Sequence, residues 1–227
     1  MNYLAFEEEG VNIAHYWVVH SPYLESELFI TKGSESASSA KLWLFDCEGQ
    51  LSNEMVIDHP LGESAVVELG SLMQGCRLKS GLSFGHLVVE SSVGGGSLCR
   101  IHNNDSASIL SSPRCVTEDN AAFLPISLGE ERHSMLCLVN SSEEPTALTI
   151  RLLVGKRSPE VVMSVPGRGA RLLHVQSEFQ EYVGDISEGQ GYLRLRTKNK
   201  QSLGVQLIEG LTLNAAHGVF GGIGAGC

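Results

Sequence analysis

Hydrophobic and polar residues alternate along most of this chain. Leu148, Ile150 and Leu152 stand against Thr149 and Arg151, and Leu193 and Leu195 against Arg194 and Arg196. Successive side chains of an extended strand point to opposite faces of its sheet, so a period of two predicts strands with one buried face. Between these runs lie Gly33-Ser34, Glu48-Gly49, Pro60-Leu61-Gly62, Pro166-Gly167 and Glu188-Gly189-Gln190-Gly191, residue types that turn a chain through free or fixed φ. Strands recurring roughly every 12 to 20 residues between such turns predict an antiparallel sandwich. The stretch Ser177 to Val183 is the one place that suggests a short helix.

The pattern occurs twice. Leu28-Phe29-Ile30-Thr31-Lys32-Gly33-Ser34-Glu35 aligns with Leu136-Cys137-Leu138-Val139-Asn140-Ser141-Ser142-Glu143 at an offset of 108, and Leu42 and Leu44 then fall on Ile150 and Leu152. After two residues of slippage, Val67, Leu69, Gly85, Leu87 and Val89 fall on Leu173, Val175, Gly191, Leu193 and Leu195 at an offset of 106. A repeat of about 107 residues is too long for a solenoid unit and suits a whole small domain. The expected fold is therefore all-β, a tandem duplication of two antiparallel β-sandwich domains. They would occupy residues 1–108 and 109–227, the second ending in a Gly-rich C-terminal tail. The apolar pattern breaks between Asn103 and Glu118, which marks either a linker or a strand exchanged between the halves.

Charge divides unevenly between these halves. The 227 residues carry 16 Lys plus Arg against 26 Asp plus Glu, a net charge of -10, and are 42% hydrophobic, a globular composition and not a disordered one. Residues 1–108 hold 5 basic and 14 acidic side chains, whereas residues 109–227 hold 11 and 12. Glu7, Glu8 and Glu9 stand where a secretory signal needs basic and then apolar residues, and no run approaches the roughly 20 apolar residues of a membrane span. Cys47, Cys76, Cys99, Cys115, Cys137 and Cys227 form no CxxC pair. The expectation is of reduced thiols in a cytoplasmic chain with no membrane partner.

Phe123, then Met135 to Glu143, Leu148 to Leu153, and Val165-Pro166-Gly167-Arg168-Gly169-Ala170-Arg171 resemble a bacterial β-sandwich repeat. It runs as an aromatic-containing strand, a strand ending in Asn-x-Ser or Asn-x-Gly, a second strand and a Pro-containing turn. The small sensory rhodopsin transducer family is similar in layout. That resemblance implies a sandwich that assembles as an oligomer and acts in signalling or binding and not as an enzyme. The first half departs from the pattern, with Thr31-Lys32-Gly33 in place of the Asn-containing turn.

Several motifs invite chemistry and are better read as structure. Gly81-Leu82-Ser83-Phe84-Gly85 is a formal GxSxG, but an α/β-hydrolase nucleophile follows a strand and opens a helix. Here an alternating run, His86-Leu87-Val88-Val89-Glu90, comes after it. Cys99 and His102 have a CxxH spacing with His15 and His20 elsewhere, yet Cys99 aligns with Val205 as a core residue and His102 falls on the opposite face. The Gly-rich tail lacks the Lys-Ser or Lys-Thr pair of a phosphate loop and has no helix after it. Neither a catalytic residue, a metal site nor a cofactor is expected.

Two surfaces remain as candidates. Trp43 and Phe45 project from the face opposite Leu42 and Leu44, which predicts that this face is covered by the other half, a second subunit or a ligand. Aromatic residues there also suit sugar stacking, so a carbohydrate-binding module is the alternative function. Arg194, Arg196, Lys198 and Lys200 alternate with Leu193 and Leu195, placing cations along roughly 20 Å of one sheet face if the strand continues, with Arg151 beside them. Such a row keeps a face solvated or docks an anionic partner. The net charge of -10 and the absence of interleaved aromatics oppose nucleic acid. The expected function is a non-enzymatic binding or assembly module for protein–protein contacts, through a protein partner or self-association as a homo-oligomer.

Overall fold

The computed structural model describes residues 11–31, 38–59, 64–76, 82–92, 96–103, 107–110, 114–129, 132–183, 188–198, 203–212 and 218–223. The first half contains β1 (Val11–His20), β2 (Glu25–Thr31), β3 (Ser38–Asp46), β4 (Leu51–His59), β5 (Ala65–Glu68), β6 (Ser83–Ser92), β7 (Gly96–His102) and β8 (Ala107–Leu110), with a 3-10 turn at Leu72–Cys76. The second contains β9 (Arg114–Val116), β10 (Ala122–Gly129), β11 (Arg132–Asn140), β12 (Thr146–Leu153), β13 (Glu160–Val165), β14 (Ala170–His174), β15 (Glu188–Thr197), β16 (Leu203–Thr212) and β17 (Gly218–Ile223). Two single-turn helices, α1 (Val175–Glu178) and α2 (Gln180–Val183), lie between β14 and β15, where the sequence suggested one. No helix among the described residues is long and apolar enough to cross a membrane.

All paired strands are antiparallel. In the first half the path runs β4-β3-β6-β1-β2-β7-β8, with β5 also on β2. Only His20 and Glu25 join β1 to β2, and the sheet folds over at that corner. Tyr16, Leu42 and Leu87 on one side then meet Leu28, Ile30, Cys99 and Ile101 on the other in one buried cluster. The second half forms two separate sheets, β10-β15-β12-β13 and β14-β11-β16-β17, with β9 on β16, enclosing Leu124, Ile150 and Leu195 against Leu136, Leu138 and Leu207. Taken in chain order, β4-β3-β6-β1 and β13-β12-β15-β10 have the same arrangement, and so do β5-β2-β7-β8 and β14-β11-β16-β17. The cross-strand pairs agree as well: Leu42 faces Val89 and Leu44 faces Leu87, as Ile150 faces Leu195 and Leu152 faces Leu193.

Between Asn103 and Glu118 the chain carries two short strands, not a bare linker. β8 pairs with β7 and β9 with β16, so each stays with its own half and the change of partner falls between Leu110 and Arg114. In the Gly-rich tail, residues 218–223 pair with β16 as β17; Cys227 lies outside the described residues.

The halves pack face to face. Register places Ile13, His15, Trp17 and Val19 of β1 on the same face as Phe84, His86 and Val88 of β6 and Trp43 and Phe45 of β3. This outer face lies against the outer face of β14, β11 and β16, whose Ala170, Cys137, Val139 and Ile208 belong to the same buried cluster as the core of the first half. Hydrogen bonds tie the edge: Arg171 donates to the Cys47 carbonyl at 2.8 Å, Ala170 N–H donates to it at 3.2 Å, and Arg171 pairs with Glu48 at 3.0 Å. Gly49, at φ 84°, sits where the β3–β4 turn touches the Pro166-Gly167-Arg168-Gly169 turn. A Cβ on Gly49 would stand 1.9 Å from the Gly167 carbonyl oxygen. Positive φ is costly for a residue with a Cβ, and the collision adds to it. Gly49→Ala is therefore expected to lower stability by about 2 to 4 kcal/mol, read as a lower urea midpoint. An unchanged midpoint would mean the two turns do not meet in this way.

Candidate functional site

Among the described residues, chemistry-bearing side chains meet in the seam between the halves and on the outermost face of the second half. In the seam, Trp43 and Phe45 are only 7% and 5% exposed and cluster with Val88. The guanidinium of Arg168 lies 5.9 Å from the Phe45 ring centroid. Arg168 itself is held at φ 58° in its turn, where its N–H donates to the Ser142 carbonyl at 2.7 Å and its side chain pairs with Glu143. Such a left-handed conformation is uncommon outside glycine. Here it presents the Arg168 carbonyl to the first half.

That carbonyl oxygen is 2.9 Å from His86 Nδ1, while His86 Nε2 is 2.9 Å from His15 Nδ1. A carbonyl can only accept, so Nδ1 of His86 carries the proton, its Nε2 accepts, and His15 donates through Nδ1. One tautomer of each ring satisfies the chain. Burial pulls the His86 imidazole down to about 3, the neighbouring His15 adding to the fall and the Arg168 carbonyl opposing it. Burial likewise lowers His15 to about 4. Both rings are therefore neutral near pH 7, and His86 ties the halves through a hydrogen bond, not through charge. The cavity beside them, lined by His15, Trp43, Phe45, His86, Ser141 and Arg168, has a volume of about 10 Å³, room for no more than a single water. A substrate has no place there. The sequence offered no signal for this pair, whose members stand 71 residues apart.

The other motifs resolve as structural. Ser83 is buried and opens β6, with Gly81 outside the described residues. Cys99 lies wholly in the core, its thiol pushed by burial up to about 12 with Glu27 adding to the rise and Ser26 opposing it. His102, on the opposite face, pairs with Glu27 at 3.4 Å. Among the described residues no three His, Cys, Asp or Glu side chains converge to hold a metal. Cys47, Cys76, Cys99 and Cys137 are free thiols.

The outer face of β10-β15-β12-β13 is different in kind. Register sets Arg151 of β12 beside Arg194 of β15, and Thr149 beside Arg196. Arg151 is held by Glu160 of β13 through Nε at 2.9 Å and Nη2 at 2.5 Å. Arg194 lies 5.8 Å from the Phe123 ring centroid. Arg196 and Lys198 are exposed and have no ion pair among the described residues. The strand ends at Thr197, so Lys198 follows it in a bend, and Lys200 lies outside the described residues. These side chains line a shallow depression of about 280 Å³ with Thr149, Glu160 and Thr197. Phe123 and Tyr192, 48% and 52% exposed, flank it together with the exposed Val162.

Equivalent positions show the contrast. Trp43, Val88 and Glu90 in the first half stand where Arg151, Arg194 and Arg196 stand in the second, by the pairs Trp43–Val88 and Arg151–Arg194. The covered face is apolar and the open face is cationic. No protein-family model matches the chain, and no curated protein aligns with it significantly.

Proposed function

We propose that this chain is a non-enzymatic assembly module, made by tandem duplication of one β-sandwich, that binds another protein through the cationic outer face of β12 and β15. The common strand order and matched cross-strand pairs of the two halves support the duplication. The observation that carries the binding reading is one open sheet face on which Arg151, Arg194, Arg196 and Lys198 line a shallow depression with Glu160, beside exposed Phe123, Tyr192 and Val162. Protein-binding surfaces combine aromatic and arginine side chains in this way. A nucleic-acid partner is opposed by the net charge of -10. The rings that suggested sugar binding, Trp43 and Phe45, are covered by Arg168 and Ser141 and offer no stacking platform. A reducing, cytoplasmic setting agrees with the free thiols.

The test is retention of proteins from nuclease-treated native lysate on immobilised chain, wild type against Arg196→Glu/Lys198→Glu. Proteins held by the wild type at low salt should be lost from the variant. An identical retained set would remove this face from consideration.

A further inference from the structure

We propose that the partner of the cationic face is the acidic outer face of β5-β2-β7-β8 on a second copy of this chain, docked as the two halves are docked within one chain. The proposal rests on the reading of the cationic face as a protein-binding surface and names its occupant. Inside the molecule, the outer face of β4-β3-β6-β1 packs on the outer face of β14-β11-β16. Each of these sheets has a counterpart of the same strand order in the other half, β13-β12-β15-β10 and β5-β2-β7-β8. Both counterparts carry exposed side chains on their outer faces, Val66 and Leu98 on one and Phe123, Tyr192 and Val162 on the other. The internal contact is thus one instance of a joint for which the chain carries the two missing surfaces.

Those surfaces are complementary. Register places Glu25, Glu27 and Phe29 of β2 on one face with His102, Arg100 and Leu98 of β7 and with Glu68 and Val66 of β5. Glu27 is engaged by Arg100 at 2.5 Å, and the Arg100 guanidinium lies 5.5 Å from the Phe29 ring centroid. Glu25 and Glu68 are exposed and have no ion pair among the described residues. On the cationic face it is Arg196 and Lys198 that are exposed and have no ion pair among the described residues. Exposed apolar side chains stand on both, Val66 and Leu98 on one and Phe123, Tyr192 and Val162 on the other. Opposite charge excess over a part-apolar surface favours docking and steers its orientation.

A joint between two different surfaces of the same chain is heterologous. Repeated from copy to copy, it either closes a ring or grows as an open chain, and it leaves no reason to stop at two. Because the groups are exposed, the joint is screened by salt. Over ~0.01 M to ~1 M the screening length falls from about 30 Å to about 3 Å.

Sedimentation velocity of the full chain over a concentration series tests this. Wild type at low salt should grow past the dimer with rising concentration and return to monomer at high salt. Arg196→Glu/Lys198→Glu, acidic at both ends, and Glu25→Lys/Glu68→Lys, basic at both ends, should each remain monomeric with an unchanged circular dichroism spectrum. Mixed in equal amounts they should regain growth past the dimer, since every joint again has opposite charges. A wild type that stays monomeric, a mass that stops at a dimer, growth indifferent to salt, or a mixture that stays monomeric would each overturn the proposal. If the wild type is monomeric yet holds a different protein from lysate that Arg196→Glu/Lys198→Glu loses, the cationic face stands and only its occupant is wrong.

Discussion

Acidification should destabilise the folded chain steeply between about pH 6.5 and pH 4, and the neutral His15–His86 pair should account for much of the loss. In the unfolded chain both imidazoles take up protons near pH 6.5. In the folded chain His15 waits until about 4 and His86 until about 3. Between those limits the unfolded state binds more protons than the folded state, so stability falls as pH falls. The slope approaches roughly 1.4 kcal/mol per pH unit for each ring. It is fully recovered above the unfolded value and stops growing below the folded one. Protonation of His86 would add a second donor at Nε2 toward the donor on His15, against a buried wall of Trp43, Phe45 and Val88. His86→Asn keeps a donor for the Arg168 carbonyl and cannot titrate. Urea denaturation at a series of pH values should therefore give a distinctly shallower acid limb in His86→Asn than in wild type. Parallel limbs in the two proteins would show that the pair does not couple the halves to pH.

Asn140→Ala is expected to cost about 3 to 5 kcal/mol. Asn140 is fully buried at the end of β11. Its Nδ2 donates to the Glu144 carbonyl at 2.8 Å and to the Val165 carbonyl at 3.2 Å, and its Oδ1 accepts from Ser142 N–H at 3.0 Å and Ser142 Oγ at 2.7 Å. All four hydrogen-bonding positions of the amide are used. Truncation leaves the Val165 carbonyl and the Ser142 N–H without these partners in a dry interior, and an unmade buried bond costs more than a made one contributes. The damage should spread to the seam, because Asn140 N–H also donates to the Gly169 carbonyl at 3.0 Å, beside the turn that carries Arg168. Equilibrium urea unfolding measures the loss; a change under 1 kcal/mol, roughly the net worth of one ordinary hydrogen bond, would show that water replaces the amide.

This asparagine is the residue at which the sequence pattern was most legible. Asn140-Ser141-Ser142 stood out as a strand ending in Asn-x-Ser, and the structure gives the reason: the amide replaces backbone partners that the chain loses as it leaves the sheet. Its first-half counterpart, Lys32, lies outside the described residues. Alternation was legible for the same kind of reason. Leu148, Ile150 and Leu152 all lie in the core, because a two-residue period is set by the geometry of a single strand. The same period has a blind spot, since a slip of two residues leaves every side chain on its face. Cys99 was matched with Val205, yet Cys99 pairs with Leu28 and Leu207 pairs with Leu136. With Leu28 matched to Leu136, the counterpart of Cys99 is Leu207, and both face inward.

Local alternation thus determined that the chain is built of antiparallel strands, which side chains face inward, and that Trp43 and Phe45 mark an apolar outer face while Arg194 and Arg196 mark a cationic one. Tertiary structure decided what lies over the apolar face: Ser141 and the turn that carries Arg168, with the Arg168 guanidinium beside the Phe45 ring and its carbonyl on His86. It also decided that His15 and His86 touch, that Arg151 is spoken for by Glu160, and that Arg196 and Lys198 remain open beside Phe123 and Tyr192. The physical reason is that burial alternates along one strand and is written in its own residues, whereas the meeting of two sheet faces depends on shape and polarity summed over strands far apart in the chain.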